Sequence, residues 1–183
     1  WSPVERATRS WVGVPGTTPA KRASGHWIRA ATGWLELGCP EEAQAELDGI
    51  EVENQAHPDV LELRWQLLAD AHEWSEAVTA GRRLVEQAPK RVSGWLHHAY
   101  ALRRAPEGGI EQALEALLPA ADQSPAEPIV PYNLSCYACQ LGRPQEALAW
   151  LDRAFKVGDK KELKSMALED EDLKSLRAEI EKL

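Results

Sequence analysis

The chain has 183 residues, of which 44% are hydrophobic and 27% are charged, and it carries a net charge of −8 at pH 7. This composition is ordinary for a globular protein and excludes a wholly disordered chain or a collagen-like fibre. No apolar run approaches the ~20 residues that a spanning helix needs, so the sequence predicts no membrane segment in this fragment.

The first 23 residues predict a loop-rich leader. Glycine and proline alternate between Gly13 and Pro19, a pattern that does not support a helix. Five basic residues and one acidic residue lie within positions 1–29, which gives +4 there and leaves −12 for the other 154 residues. The acidic body disfavours nucleic-acid binding, which needs clustered Lys and Arg. Because the chain begins at Trp1 rather than Met, we expect the native N-terminus to lie upstream. The sequence leaves a signal peptide or membrane anchor in that upstream region as an alternative.

From residue 24 onward, the sequence predicts helix, short turn and helix in succession. Apolar residues recur at three- and four-residue spacing in each first helix, as in Leu61, Trp65 and Leu68. Pro40 and Pro144 fit the first turn of a second helix, where the fixed proline backbone and the missing N–H cost nothing. The tryptophans Trp27, Trp34, Trp65 and Trp95 are predicted to lie in the core.

A fixed period underlies this alternation. An alanine near the start of each second helix recurs after 34, 36 and 34 residues, at Ala43, Ala77, Ala113 and Ala147. A period of this length indicates a helical repeat array. The buried stripes of the second helices are predicted to be Ala43/Leu47/Ile50, Ala77/Gly81/Leu84, Ala113/Leu117/Ala120 and Ala147/Leu151/Ala154.

The period divides the chain into a leader, four repeats and a C-terminal cap. The two extra residues of the third repeat belong to the turn around Gly108 and Gly109, where a loop accepts an insertion. The predicted ranges are 1–23 for the leader, 24–57, 58–91, 92–127 and 128–158 for the repeats, and 159–183 for the C-terminal cap. The leader either caps the N-terminal edge of the array or is the tail of an upstream region.

A helix pair of 34 residues with small residues in mid-helix, an alanine after the turn and a closing proline resembles the tetratricopeptide repeat. Residues 24–157 carry the resemblance, and the fourth repeat, with Leu134, Gly142, Ala147 and Leu151, matches it best. The resemblance implies an all-α fold, a right-handed superhelical array of antiparallel helix pairs. It also implies a concave groove, lined by the first helices, that binds a protein or peptide partner.

The candidate peptide-binding residues are the first-helix side chains turned away from the alanine stripe. Arg103 and Arg104 could hold a partner carboxylate. Asn133 matches the place where related repeats keep an asparagine that bonds a peptide backbone. The full predicted set is Tyr100, Arg103, Arg104, Asn133, His97 and Tyr132. The alternative for each of them is a solvated polar face without a ligand.

One specialised groove is disfavoured by the residues themselves. Tetratricopeptide repeats that grip the acidic C-terminus of chaperones use lysines, an arginine and asparagines at five sites on three first helices. Here those sites hold Ile28, Thr32, Leu63, Ser93 and His97, none of which matches.

The sequence offers little for catalysis. Cys136 and Cys139 form a C-x-x-C, but a second such pair is absent and the strand-to-helix setting of a redox site is missing. No Ser or Cys stands beside a histidine as an activated nucleophile, and no glycine-rich phosphate loop occurs. We therefore predict no enzyme, no catalytic residue, no metal and no cofactor. A metal or redox role of the two cysteines is kept as a remote alternative.

The sequence thus favours a non-catalytic interaction module, a scaffold or adaptor that binds a peptide or helix. The alternative is an oligomerisation or spacer segment of a larger protein, whose groove is filled by its own leader. A homo-oligomer is compatible with either interpretation. Three cysteines are too few for a disulfide-stapled secreted module, which favours a reducing compartment and a cytoplasmic location.

Overall fold

The computed structural model describes residues 24–183, which are helical and contain no strand. This part of the chain confirms the predicted all-α fold. Two short 3₁₀ helices, Val52–Asn54 and Glu171–Leu176, interrupt the series of α-helices. The α-helices are α1 Ser24–Glu36, α2 Pro40–Asp48, α3 Pro58–Asp70, α4 Trp74–Gln87, α5 Val92–Leu102, α6 Ile110–Gln123, α7 Ile129–Gln140, α8 Pro144–Val157, α9 Lys160–Glu169 and α10 Arg177–Ile180.

The turns inside the helix pairs contain the predicted prolines. Pro40 and Pro144 occupy the first turns of α2 and α8. Gly38 and Gly142 precede them with φ values of +73° and +71°, a left-handed conformation that glycine adopts without steric cost. At the corresponding place before α4 the chain has His72, with φ of +61°. The turn geometry is therefore kept even where the sequence does not supply glycine.

The second helices bury the predicted stripe. Ala43, Ala77, Ala113 and Ala147 each have 0% exposure. The bulkier residues four to seven positions on are buried as well, among them Leu47, Leu84, Leu117 and Leu151. The predicted core of the second helices is confirmed.

The tryptophans follow the prediction only in part. Trp65 is buried, and Trp34 and Trp95 are half-buried. Trp27 is 37% exposed, so its assignment to the core was wrong. Its ring lies against the end of α2, where a Cβ on Gly49 would come within 3.3 Å of the Trp27 ring atom Cζ3. The spacing along α1 places Trp27 on the apolar face, but spacing alone does not determine how far the ring is enclosed.

The described helices form two compact units, residues 24–101 and residues 102–183. The division falls inside the third predicted repeat, at the end of α5. The helix bounds nevertheless lie within the predicted repeat ranges, and the repeat boundaries themselves stay a prediction. The leader, residues 1–23, lies outside the described residues, as does its predicted role as a cap. Within residues 24–183, no helix is long and apolar enough to cross a bilayer.

In the unit of residues 24–101, a polar cluster fastens the segment that connects α2 to α3. Arg64 on α3 donates to Leu47 O at 3.2 Å, Asp48 Oδ1 at 3.0 Å and Gln55 Oε1 at 2.6 Å. The Gln55 amide donates in turn to Leu47 O and Ile50 O. These bonds satisfy carbonyls that the end of α2 leaves without a helical partner.

In the unit of residues 102–183, the last elements are fixed by side-chain caps. The Asp159 carboxylate accepts from the Glu162 N–H at 2.9 Å and begins α9. The Asp170 carboxylate accepts from the Asp172 N–H at 3.0 Å and begins the second 3₁₀ helix. Leu173, Leu176 and Ile180 are buried behind these caps.

Two glycines make a matched test of the close packing between α4 and α5. A Cβ on Gly81 would lie 2.8 Å from His98 Cα and 2.9 Å from His98 N, which are backbone atoms that cannot yield cheaply. We expect Gly81→Ala to lower the free energy of unfolding by about 1–3 kcal/mol. In Gly33→Ala on α1, the added Cβ would meet nothing within 4 Å. This substitution should raise the free energy of unfolding by up to ~1 kcal/mol, because alanine has a higher helix propensity than glycine. Urea unfolding of both variants measures the two shifts, and equal effects would contradict the predicted contact.

Candidate functional site

The two predicted site residues of the unit of residues 24–101 lie in an aromatic cluster. The His97 ring stacks on Trp65 with 3.9 Å between ring centroids and 7° between planes. Tyr100 meets Trp65 edge-on at 6.0 Å and lies tilted against Trp74 at 5.9 Å. Both His97 and Tyr100 are buried. Their rings therefore belong to the packing between α3, α4 and α5, with little area left for a partner.

Burial controls the protonation of His97. It lowers the pKa of His97 from 6.5 to about 3, because the charged imidazolium would lose its solvation. His97 Nδ1 and Trp65 Nε1 are both buried and have no hydrogen-bond partner among the described residues. His97 is therefore held as a neutral ring inside the packing against Trp65.

The acidic face of α3 is partly neutralised. Arg91, which precedes α5, donates from Nη1 to Asp59 and to Glu62, at 2.7 Å in both cases. Burial works against the Arg91 charge, but these bonds and the two carboxylate charges outweigh it and raise the Arg91 pKa. Two acidic residues of the first helix α3 are thus paired inside their own unit.

In the unit of residues 102–183, Arg103 binds an aspartate of the same chain. Its two terminal nitrogens donate to the two carboxylate oxygens of Asp172, with 2.7 Å for the Nη2–Oδ1 pair. The guanidinium also lies 5.7 Å from the centroid of the Tyr137 ring. Burial opposes the Arg103 charge, but Asp172 outweighs it and the Arg103 pKa is raised. Arg103 thus makes a bidentate carboxylate contact with Asp172 of the chain itself, and its predicted contact with a partner carboxylate stays a prediction.

Tyr132 makes a second contact of the same kind. Its hydroxyl donates to Asp170 Oδ2 at 3.2 Å, and the Cys136 thiol points to the same oxygen at 3.8 Å. Burial, followed by the neighbouring acidic groups, raises the pKa values of Tyr132 and Cys136. Burial also raises the pKa of Asp170. Tyr132 and Cys136 therefore stay protonated and act as hydrogen-bond donors.

The remaining predicted residues are Asn133 and Arg104. The Asn133 amide donates to Ile129 O at 2.8 Å, four residues back along α7, and its side chain is buried. It therefore stabilises its own helix instead of presenting its amide outward. Arg104 is half-buried. Burial raises the pKa of the Tyr137 hydroxyl, and the positive charge of Arg104 offsets part of that rise. Whether any member of the predicted set contacts a partner stays a prediction.

Residues 170–176, named here the C-terminal segment, lie on α7. All residues from Ile129 to Cys139 are buried, although α7 would expose one side if only α6 and α8 packed against it. The segment adds two contacts to those of Asp170 and Asp172: Gln140 Nε2 donates to Asp172 O at 2.9 Å, and Cys139 Sγ lies 3.2 Å from Ser175 Oγ. The donors Arg103, Tyr132, Cys136 and Gln140 together form what we call the donor face.

The sequence did not point to this arrangement. The sequence predicted only that residues 159–183 form the C-terminal cap of the array; within that range, Asp170 caps the second 3₁₀ helix. A sequence signal was present, since Arg103 and an acidic pair both occur, but they are 69 residues apart in the chain. No periodicity connects positions that far apart.

One group of side chains could in principle hold a metal ion. Donor atoms of Cys136, Asp170 and Asp172 lie within 4.8 Å of one another. However, the Arg103 guanidinium already holds both oxygens of Asp172, and a second cation beside it would be repelled. The residues fit a hydrogen-bonded network better than a metal site.

Comparison with solved structures identifies the fold. TTC0263, described as a thermophilic TPR protein in Thermus thermophilus, superimposes with a TM-score of 0.64 at 21% identity, over 88% of this chain and 100% of that one. The chain has the tetratricopeptide-repeat fold. MamA from Desulfovibrio magneticus RS-1 gives a TM-score of 0.64 at 18% identity, over 87% of this chain and 91% of that one.

A third tetratricopeptide-repeat structure is described by its ligand site. YrrB, "a TPR protein with an unusual peptide-binding site", matches with a TM-score of 0.61 at 18% identity, over 77% of this chain and 72% of that one. No protein-family model matches the sequence, and no curated protein is significantly similar to it. At these identities the tetratricopeptide-repeat structures establish the fold alone.

The burial of His97 makes stability depend on pH. Because the folded-state pKa is about 3 and the ordinary value is 6.5, the neutral ring's contribution is complete above pH 6.5 and declines as the pH falls toward 3. We expect His97→Phe, which keeps a ring against Trp65, to lose less stability than the wild type over this range. Urea unfolding at several pH values measures the difference. Parallel declines in both proteins would show that His97 does not titrate in this way.

Proposed function

We propose that this chain is a non-catalytic protein–protein interaction module that binds a peptide or helix of a partner protein on the first-helix faces of its repeats. The tetratricopeptide-repeat fold supports interaction with proteins in general. The finer proposal, a peptide held by first-helix side chains, has its support in the unit of residues 102–183. There the chain holds a piece of itself as a receptor would hold a peptide.

The contacts of the C-terminal segment carry this proposal. An arginine takes a carboxylate by two parallel bonds, and the Gln140 amide takes a main-chain carbonyl. A main-chain contact combined with a charged anchor is the usual chemistry of peptide recognition. Arg103 and Tyr132 of the predicted set take part in it.

The pKa values of two potentially reactive side chains, one in each unit, are shifted away from reactivity, which supports a binding role over an enzymatic one. The pKa of Cys136 is raised above its ordinary value, so the thiolate nucleophile is disfavoured. His97 in the other unit is neutral, buried and stacked on Trp65. Catalytic groups need pKa values tuned toward the working pH, and these are tuned away from it.

The variants that test the proposal have to leave the C-terminal segment in place. Arg103 is unsuitable because its loss would free Asp172. Both carboxylate oxygens of Asp172 are bound by Arg103, so Arg104, which is half-buried, is the better choice. Arg83 is an exposed arginine on the second helix α4 and provides a matched control.

We expect the full chain to select peptides from a random dodecapeptide phage library. For the selected peptides, fluorescence anisotropy should show that Arg104→Gln weakens binding by about tenfold, the effect of losing one charged anchor. Arg83→Gln should leave Kd within about twofold. Failure to select any peptide, or equal effects of the two substitutions, would argue against first-helix peptide binding.

The second candidate, a spacer whose groove is filled by its own leader, has charge in its favour. Positions 1–29 carry +4, and α3 carries Asp59, Glu62 and Asp70. Arg91 already neutralises two of these acids, which reduces the attraction on a basic leader.

Deleting residues 1–22 tests this candidate. If the leader covers the groove, the deletion should lower the Tm and increase the binding of a hydrophobic dye, because apolar surface is uncovered. The loss should shrink at high salt if charge holds the leader. An unchanged Tm together with unchanged dye binding would eliminate the spacer hypothesis.

A further inference from the structure

We propose that the donor face is a binding site for acidic partner segments of the form Asp-x-Asp-Leu, and that the chain's own Asp170–Leu173 fills it until such a segment replaces it. This inference rests on the proposed function and names the chemistry of the partner. The site in question is made of Arg103, Tyr132, Cys136 and Gln140 in the unit of residues 102–183.

The direction of the hydrogen bonds defines the ligand. Every side chain of the donor face donates: two guanidinium N–H groups, a phenol, a thiol and an amide. The C-terminal segment supplies only acceptors to them, namely two carboxylates and one main-chain carbonyl. A face of this kind suits a ligand rich in acceptors and leaves a lysine-rich or arginine-rich peptide without partners.

The spacing of the acceptors adds specificity. Asp170 and Asp172 are two residues apart, and they reach different donors, Tyr132 with Cys136 for the first and Arg103 for the second. Leu173 follows at once and has 0% exposure. A competing segment therefore needs two carboxylates at this spacing and an apolar residue directly after the second.

The C-terminal segment has features of an exchangeable ligand. It consists of Asp170 followed by a six-residue 3₁₀ helix, a form with poorer hydrogen-bond geometry than an α-helix and uncommon beyond three or four residues. Glu171, Lys174 and Ser175 are exposed, so only one side of the segment is held. The Asp170 carboxylate gives up solvation to be bound, a cost shown by its raised pKa.

A covalent lock can hold the C-terminal segment in place in the full chain. Cys139 Sγ lies 3.2 Å from Ser175 Oγ, so Ser175→Cys would bring a second sulfur within reach of Cys139. Cys39 is replaced by serine in the same protein to prevent disulfides between molecules. Oxidation then closes the site, reduction opens it again, and one protein serves as its own control.

The probe is a fluorescein-labelled peptide with the sequence of residues 168–176, and its control carries Asn in place of both aspartates. We expect the reduced protein to bind the acidic probe, the oxidised protein to bind it at least about tenfold more weakly, and neither to bind the control. Equal binding of the probe to both redox states would overturn the inference, because the probe would then occupy another surface.

Two substitutions in the otherwise native chain give an independent readout. Asp172→Asn weakens the chain's own hold on Arg103 and should strengthen probe binding by about tenfold, roughly the effect of one charged hydrogen bond. Adding Arg103→Gln to Asp172→Asn should abolish binding of the probe. Asp122→Asn, at an exposed site on α6, is the matched control and should change nothing. Unchanged or weaker binding in Asp172→Asn contradicts the inference.

The outcomes separate this inference from the proposed function. A chain that binds library peptides but not the acidic probe, with or without the lock, overturns the inference and leaves the interaction module standing. A chain that binds no peptide in any form overturns both.

Discussion

Four alanines, one near the start of each second helix, have no solvent exposure, and the packing of the described helices depends on them. A methyl group at this place lets the two helices of a pair approach closely, whereas a larger side chain would force them apart. The leucines that follow then fill the space that the close approach creates. Because the alanines recur at nearly constant spacing, the same local geometry is repeated along the chain.

The local structure could be predicted from the sequence because it depends on residues close together in the chain. The alanine period, Pro40, Pro144 and the turn glycines each act within a few residues of their own position. The exposure of Trp27 could not be predicted in this way. Its spacing marks an apolar face, but burial depends on what lies beyond that face, and spacing carries no information about that.

The candidate site shows the same division between local and distant contacts. The sequence singled out Arg103 and Tyr132 as candidate peptide-binding residues, and in the structure both donate to carboxylates of the chain itself. The residues that supply the carboxylates could not be predicted, because Asp170 and Asp172 belong to the range 159–183, which was predicted only as the C-terminal cap. His97 and Asn133 were singled out by position on a helix, but their side chains are taken up by Trp65 and by the carbonyl of Ile129.

The burial of α7 from Ile129 to Cys139 has a consequence for shortened forms of the chain. The C-terminal segment begins at Asp170, 30 positions after Gln140 at the end of α7. A chain cut between α8 and Asp170 would keep all four helix pairs but would lose the carboxylates that bind Arg103 and Tyr132. Those donors would then need water or another acceptor, so cleavage there by a protease would weaken the unit of residues 102–183 without removing any of its repeats.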